Sequence, residues 1–458
     1  MSPPNKNLDK SIPSYKDPNG FVFEQGGEIF RQVNRSYFAN YDHLKSSGLY
    51  EHLTAQRLLI PHTEVSKNND FLVIKPVKIP FISYPYEWSF SQLKDVALLT
   101  LKIQKISLDF QMTLKDANGF NVQFLEGKPI FIDTLSFDKY KHGNGWIGYR
   151  QFCMFFLGPL LLMSKVDLRS NRFLQLFIDG LPLDFVSSML PKSSWLNFGA
   201  LLNIHMHSRS EKKFSQVVLS KQKKSVSVNS ILGLIDNLEG LISNLRIKQT
   251  KTTWGDYYNN TNYTPKAFKS KKSITSRFLD LSKPNKVWDF GANNGTFSRL
   301  VKSNSQVISF DNDPLAIDQN YNYNKEQKIK NCLPLIMDLT NVSPSIGWNL
   351  KERLSLIDRG PTDLVIFLAL IHHLVISNNL SFELIANFLG RITKKLIIEF
   401  VPKTDSQVEK LVKNREDIFL EYNPVQFEKS FSEKFKIIAL QKVADSKRVI
   451  YLMETKND

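Results

Sequence analysis

One run of residues constrains the fold of this chain more than any other: Val287-Trp288-Asp289-Phe290-Gly291-Ala292-Asn293-Asn294-Gly295-Thr296-Phe297. An apolar strand runs into a bend that carries two glycines, and a helix is expected to open at about Thr296. Gly291 and Gly295 let the backbone turn tightly and let a ligand approach without a Cβ in the way. Amides of such a bend, and of the helix N-terminus behind it, point toward that ligand. Asp289, at the strand end, is placed to accept a hydrogen bond from a cationic amino group.

The residues that follow extend this pattern. Short β-branched stretches alternate with helical ones, the signature of a parallel α/β sheet. Strands are predicted at Lys286–Phe290, Gln306–Phe310, Leu333–Met337, Leu364–Leu368 and Lys395–Phe400, then at Phe435–Leu440 and Arg448–Met453. A short polar turn around Asp445 and Ser446 separates the last two; it cannot hold a crossover helix, so an antiparallel hairpin is expected. The second strand ends in Phe310-Asp311-Asn312-Asp313, about twenty residues beyond the bend, where a carboxylate is placed for ribose hydroxyls. The third ends in Ile336-Met337-Asp338-Leu339, an acid suited to an exocyclic adenine amine, with Leu339 against the ring.

Taken together, Asp289, Gly291, Asn293, Gly295, Asp311 and Asp338 resemble the class I S-adenosylmethionine-dependent methyltransferase family, whose first motif commonly reads Asp-x-Gly-x-(Gly/Asn)-x-Gly. The resemblance covers about Trp254 to Met453. It implies a Rossmann-like, seven-stranded sheet closed by the terminal antiparallel hairpin. It also implies S-adenosylmethionine as cofactor: Asp289, Gly291 and Gly295 around the methionine moiety, Asn293 in the variable motif position, Asp311 on ribose, and Asp338 with Leu339 on adenine.

The fourth strand is followed by Ala369-Leu370-Ile371-His372-His373-Leu374, at the carboxyl edge where open α/β sheets bind ligands. His372 or His373 is a candidate general base, with an ordinary pKa near ~6.5. The same step also orients the cofactor or caps a helix in many members of that family. Glu399, ending the fifth strand, is a candidate for the acceptor pocket or for a loop cap. Trp254, Tyr257, Tyr258 and Tyr263 are candidates for a lid over the cofactor or for packing on the sheet edge. The Asn-Pro-Pro-(Tyr/Phe) motif of enzymes acting on exocyclic base amines is absent after the fourth strand, and no metal is required.

The N-terminal half carries a second pattern. Gly20–Phe23 and Glu28–Val33 read as a hairpin, followed by a helix through Tyr37, Tyr41 and Leu44 up to Gly48. Strands are predicted at Phe71–Ile74 and Ile79–Ser83, then a helix from about Phe90 to Phe110 with Leu93, Ala97 and Leu101 on one face. Next come Leu114-Lys115-Asp116-Ala117-Asn118-Gly119-Phe120-Asn121 and Pro129-Ile130-Phe131-Ile132-Asp133. These resemble the catalytic loop of protein-kinase-like and aminoglycoside-phosphotransferase-like folds. The resemblance implies Asp116 as the base, with Asn121 and Asp133 as metal ligands.

Departures from that pattern point to a degenerate domain used for substrate recognition. No Gly-x-Gly-x-x-Gly loop precedes it, Leu114 and Lys115 stand where the family has His or Gly, and Arg31 is the nearest cationic substitute for the N-lobe lysine. Pro85-Tyr86-Glu87-Trp88-Ser89-Phe90, Ile132-Asp133-Thr134-Leu135-Ser136-Phe137 and Tyr149-Arg150-Gln151-Phe152 also resemble nodulation-protein-like bacterial methyltransferases, which join such a region to a C-terminal methyltransferase. His205 and His207, a His-x-His pair, are expected to be core or surface histidines.

Composition bounds the remainder. With 458 residues, 42% hydrophobic and 23% charged, the chain is globular. Cys153 and Cys332 cannot build a disulfide framework or a zinc site unaided, which predicts a reducing, cytoplasmic setting. Met1–Lys10 carries no apolar signal core, and Phe152–Met163 is well short of the ~20 residues that span a bilayer, so no secretory signal and no membrane span are expected. The net charge of +16 favours an anionic or polar partner; its clusters, Lys212–Lys224 and Lys266–Lys272, lack aromatic interleaving, so nucleic acid is possible but not favoured.

The expected organisation is an α+β kinase-like domain over 15–247 with an apolar helix at Ile231–Leu245, a linker or lid over 248–273, and an α/β methyltransferase domain over 274–458. The expected activity is methyl transfer from S-adenosylmethionine to a small-molecule or glycan- or lipid-like acceptor. The alternatives are a non-catalytic nucleotide-binding regulatory protein and an RNA methyltransferase.

Overall fold

The computed structural model describes residues 16–209, 225–248, 263–413 and 418–456. The chain divides into two units, Met1–Thr250 with Ser345–Arg353, and Lys251–Pro344 with Leu354–Asp458.

In the first unit, β1 (Gly20–Gln25) and β2 (Glu28–Asn34) form the expected hairpin. With β3 (His62–Lys67) and β4 (Phe71–Pro76) they make an antiparallel sheet of order β1-β2-β4-β3. The strand predicted at Ile79–Ser83 does not form. Pro80 interrupts it and cannot donate to a ladder, whereas the polar, exposed edge strand His62–Lys67 has no apolar alternation to announce it. The helix after the hairpin runs Phe38–Ser46.

Ser89 and Gln92 form a capping box that opens the helix Phe90–Asp109, whose Leu93, Ala97 and Leu101 are buried as their spacing requires. Two short pairs follow: β5 (Met112–Leu114) with β8 (Phe137–Lys139), and β6 (Val122–Leu125) with β7 (Lys128–Phe131). The apolar stretch Phe152–Met163 lies in the core, in helical turns that include Gly158–Lys165. A helix at Val228–Asn244 is capped by Ser227.

The second unit is a seven-stranded mixed sheet. Its strands are β9 (Lys286–Phe290), β10 (Gln306–Asp311), β11 (Cys332–Ile336), β12 (Thr362–Phe367), β13 (Thr393–Phe400), β14 (Phe435–Lys442) and β15 (Val449–Thr455). The order is β11-β10-β9-β12-β13-β15-β14; β9 to β13 are parallel, while β15 runs antiparallel to both β13 and β14. This topology fits a Rossmann-like fold. Every predicted strand forms within two residues of its expected ends, and the short link at Asp445 closes the reversed pair.

Val287, Val307, Leu364, Ile366 and Ile397 pack against Ile274 and Phe278 of the helix Pro265–Ser282. That helix begins inside the stretch expected to be linker. Thr264 accepts from the Ala267 amide and Pro265 opens the first turn, while four lysines conceal the apolar stripe from a reading by composition. No helix among the described residues is long and apolar enough to cross a membrane.

Candidate functional site

The glycine bend forms, but the helix expected at Thr296 does not. Gly291 and Ala292 both donate their amides to the Phe310 carbonyl, at 2.8 and 3.0 Å, and the chain then makes turns and a short 3-10 helix, Ser298–Leu300. The next strand already starts at Gln306, leaving too few residues for a self-supporting helix behind a residue at positive φ. Gly291 and Gly295 have φ of +70° and +81°, and Asn293, where the family motif varies, has +50°. A Cβ at Gly291 would lie 2.8 Å from Leu370, and one at Gly295 would press into the Asn320 side chain. The close packing of the bend against its own neighbours therefore requires glycine.

Asp289 is buried near the end of β9, where its carboxylate accepts from the Ser298 hydroxyl at 2.6 Å. Burial, with the Asp311 charge adding to it, pushes this carboxyl up to about 7 despite the Ser298 hydrogen bond and nearby Lys271. Asp311 ends β10 and accepts the Asn293 amide at 2.8 Å and the Asp313 amide at 2.9 Å. Burial raises it to about 6 against those two donors. The two acids thus share one electrostatic environment beside the bend. Asp338, at the tip of β11, accepts from the amide and hydroxyl of Thr340 at 2.9 and 2.7 Å, and Leu339 is half-buried.

His372 and His373 follow β12, their ring centroids 4.2 Å apart. The ordinary imidazole value expected for them does not survive folding. Burial, helped by His373, Arg448 and Lys271, holds His372 well below it, and burial with Arg448 pushes His373 down to about 4. Both rings are therefore uncharged at neutral pH. Nδ1 of His372 is buried without a hydrogen-bond partner.

Glu399 is fully buried at the end of β13, and its carboxylate is already engaged. Lys271 lies 2.6 Å from Oε2 and the Tyr263 hydroxyl donates to Oε1 at 2.8 Å. Arg448 stands 3.8 Å from Oε1, bonds to the Tyr263 hydroxyl, and pairs with Asp405 at 2.7 and 3.0 Å. Burial alone would raise the Glu399 carboxyl, but Lys271 and Arg448 outweigh it and hold the group below its ordinary value. Sequence reasoning missed this network. Its one signal was Lys271 sitting on the apolar stripe of Ala267, Ile274 and Phe278. Of the proposed aromatic lid, Tyr263 is bound into this network, while Trp254, Tyr257 and Tyr258 lie outside the described residues.

In the first unit Arg31, Asp116, Asn121 and Asp133 come together. Arg31 on β2 pairs with Asp133 at 2.6 Å and with Asp17 at 3.0 Å. Asp133 also accepts from the Leu135 amide and the Ser136 hydroxyl, at 3.0 and 2.7 Å, and Asn121 donates to that hydroxyl at 3.0 Å. Burial and the neighbouring Asp133 raise the Asp116 carboxyl, with Asn121 and Gln151 opposing. His205 is a core residue held by the Ser187 and Ser194 hydroxyls at 2.7 and 2.8 Å and stacked on Trp195; His207 stacks on Tyr149. The Lys266–Lys272 cluster is partly neutralised, Lys266 by Asp445 and Lys271 by Glu399; Lys212–Lys224 lies outside the described residues.

No family model matches the chain. Over 456 residues it is 32% identical to the nodulation protein NoeA of Rhizobium meliloti (strain 1021), covering 96% of this chain and 95% of that protein. Among solved structures it is similar to N-methyltransferase NodS from Bradyrhizobium japonicum WM9 in complex with S-adenosyl-L-homocysteine, with 9% identity, a TM-score of 0.32, and 43% of this chain and 90% of that one covered. It is also similar to magnesium protoporphyrin IX methyltransferase from Synechocystis PCC 6803 with bound SAH, with 16% identity, a TM-score of 0.31, and 44% and 93% covered.

Proposed function

We propose, from the premise that this chain belongs to the family of the nodulation protein NoeA, that it is an S-adenosylmethionine-dependent methyltransferase. One observation carries the reading: a glycine bend at the tip of the central strand β9, flanked by the buried Asp289 and the half-buried Asp311, on a seven-stranded sheet with a reversed last pair. The residues present fit the cofactor. Two carboxylates raised by desolvation gain from a cationic amino group and from hydroxyl donors, and the bend offers backbone without side chains.

When bound, S-adenosylmethionine supplies a methyl group on a positively charged sulfur. Asp289 holds the amino group, Asp311 accepts from ribose, and Asp338 with Leu339 borders the adenine. His372 and His373, both neutral, orient the acceptor; burial weakens both as bases, holding His372 well below the ordinary imidazole value and His373 at about 4. Glu399, sequestered by Lys271, positions the end of β13 and does not touch the acceptor. Methyl transfer is an in-line displacement, so alignment is the main service these residues perform.

Isothermal titration of the full-length protein with S-adenosylhomocysteine tests this. Binding that Asp311→Ala weakens supports it; no heat from either protein leaves the regulatory, non-catalytic alternative. Salt-dependent retention on RNA would redirect the acceptor toward nucleic acid, and a flat response discards that class. Tritium transfer from labelled cofactor into fractionated cell extract then identifies the acceptor, with small-molecule and glycan- or lipid-like classes expected.

The first unit is read as a kinase-like domain retained for recognition. The observation that favours this is the engagement of Asp133 by Arg31, Leu135 and Ser136, which occupies the oxygens a magnesium ion would need. Magnesium-dependent ATP binding that disappears in Asp133→Ala would instead establish phosphotransfer competence.

A further inference from the structure

Strand β10 is apolar at Val307, Ile308 and Phe310, and all three are buried, yet Ser309 sits among them with no exposure to solvent. A hydroxyl in such a place costs free energy unless it is hydrogen-bonded. It is bonded twice, to the Ser298 hydroxyl at 2.7 Å and to the Cys332 sulfur of β11 at 3.1 Å. Ser298, buried as well, lies in the short 3-10 helix behind the glycine bend and reaches Oδ2 of Asp289 at 2.6 Å. Cys332, Ser309, Ser298 and Asp289 thus form one buried polar row across the neighbouring strands β11, β10 and β9.

The proton order in this row follows from its end. An ionised carboxylate only accepts, so Ser298 donates to Asp289. Its one proton spent there, Ser298 accepts from Ser309, and Ser309 in turn accepts from the thiol. Burial holds the Cys332 thiol above its ordinary value, so its S–H is present at neutral pH. All three donors then point toward Asp289, and donors in series strengthen one another in a low-dielectric core. Burial is the strongest influence against ionisation of Asp289, and the Ser298 hydrogen bond is the strongest in its favour. Asp311 at the end of β10 adds to the first and Lys271 of the helix Pro265–Ser282 to the second, while β12 pairs the apolar Ile366 with Asp289. Arg299, beside Ser298 in the chain, acts on Cys332.

Resting on the cofactor reading of this site, we propose that Ser298 and Ser309 are positioning residues, whose hydroxyl row holds the Asp289 carboxylate in one orientation and ionised to receive the cofactor's ammonium group. The row serves the amino-acid end of the ligand, since ribose and adenine fall to Asp311 and to Asp338 with Leu339.

The test is isothermal titration of S-adenosylhomocysteine into full-length wild type, Ser298→Ala and Ser309→Ala between about pH 6 and about pH 8.5. Beside it runs 5′-methylthioadenosine, which keeps the adenosine and the sulfur but has no amino group. Loss of a hydrogen bond to a carboxylate raises that carboxyl by about one pH unit or more. Ser298→Ala should therefore bind S-adenosylhomocysteine roughly tenfold more weakly near pH ~6.5 and within about threefold of wild type near pH ~8.5. Ser309→Ala removes only the second donor and should move the profile the same way by less. Affinity for 5′-methylthioadenosine should stay within about twofold in both variants, which also shows them folded. Weakening by one factor at every pH, equal weakening of 5′-methylthioadenosine, or wild-type profiles in both variants overturns the proposal and leaves the cofactor reading intact. If Ser298→Ala binds neither ligand, Ser309→Ala decides by the same criteria. A wild type that binds no S-adenosylhomocysteine overturns the cofactor reading itself and this proposal with it.

Discussion

Lys271 and Glu399 are the residues in the second unit whose removal should cost most. Both side chains are buried, 2.6 Å apart, and each is the other's main compensation for lost water. Lys271→Met leaves the buried Glu399 carboxylate with only the Tyr263 hydroxyl and the more distant Arg448, and a loss of about 2–4 kcal/mol is expected in urea unfolding. Adding Glu399→Leu should recover much of it, because the charge left behind, more than the pair's attraction, sets the penalty. A single variant as stable as wild type would show that water reaches this site.

Asp289 and Asp311 give a pH dependence with a definite sign. Their folded values, about 7 and about 6, lie above the ordinary carboxylate range, so the folded state is the better proton binder. Without cofactor, the contribution of these two acids to stability is then fully present below the unfolded value near ~3.9 and is lost as pH rises through 6 and 7. Cofactor binding runs the other way, since its amino group and ribose favour the ionised acids. Affinity for S-adenosylhomocysteine should climb as pH passes through 6 and 7 and level off above. A flat profile across that range would mean that the acids do not face the ligand.

At the scale of elements, the bend after β9 does what a loop and helix do together in longer versions of such a crossover. Its shape comes from residues at positive φ and from the Phe310 carbonyl, which takes two amides. Gly295→Ala introduces both a disfavoured backbone conformation and a collision with Asn320, so a loss of at least about 1 kcal/mol is expected from thermal unfolding, with weaker S-adenosylhomocysteine binding. Ala at a surface position such as Lys302 serves as the control. The missed strand His62–Lys67 teaches a related lesson: an edge strand needs backbone partners but no apolar face, so its side chains carry no period to read.

On the scale of the whole molecule, the two units are not simple consecutive segments. Ser345–Arg353 belongs with the first unit, where the Arg353 guanidinium lies 4.0 Å from the Phe120 ring centroid and Glu352 pairs with Lys16 at 2.8 Å. A fragment ending at Thr250 lacks these partners and should be less stable by about 1–2 kcal/mol than the same unit in the full chain. Comparison of their urea midpoints by tryptophan fluorescence checks this, and equal midpoints would reduce the segment to a passive loop. The boundary was hard to read because nothing local in residues 345–353 distinguishes them from an ordinary loop; only their distant contacts do.

What the sequence determined alone was the set of features carried by near neighbours along the chain. The run of strands, the glycine bend, the acids at three strand tips and the reversed hairpin lie where they were expected, whereas the helix expected behind the bend does not form. Tertiary structure decided which polar groups would lose their water. Lys271 and Glu399 are 128 residues apart in sequence, and Tyr263 and Arg448 are 185 apart. Burial is a property of the assembled sheet and its covering helix, so the neutral histidines, the raised acids and the sequestered Glu399 could not be read from any segment by itself.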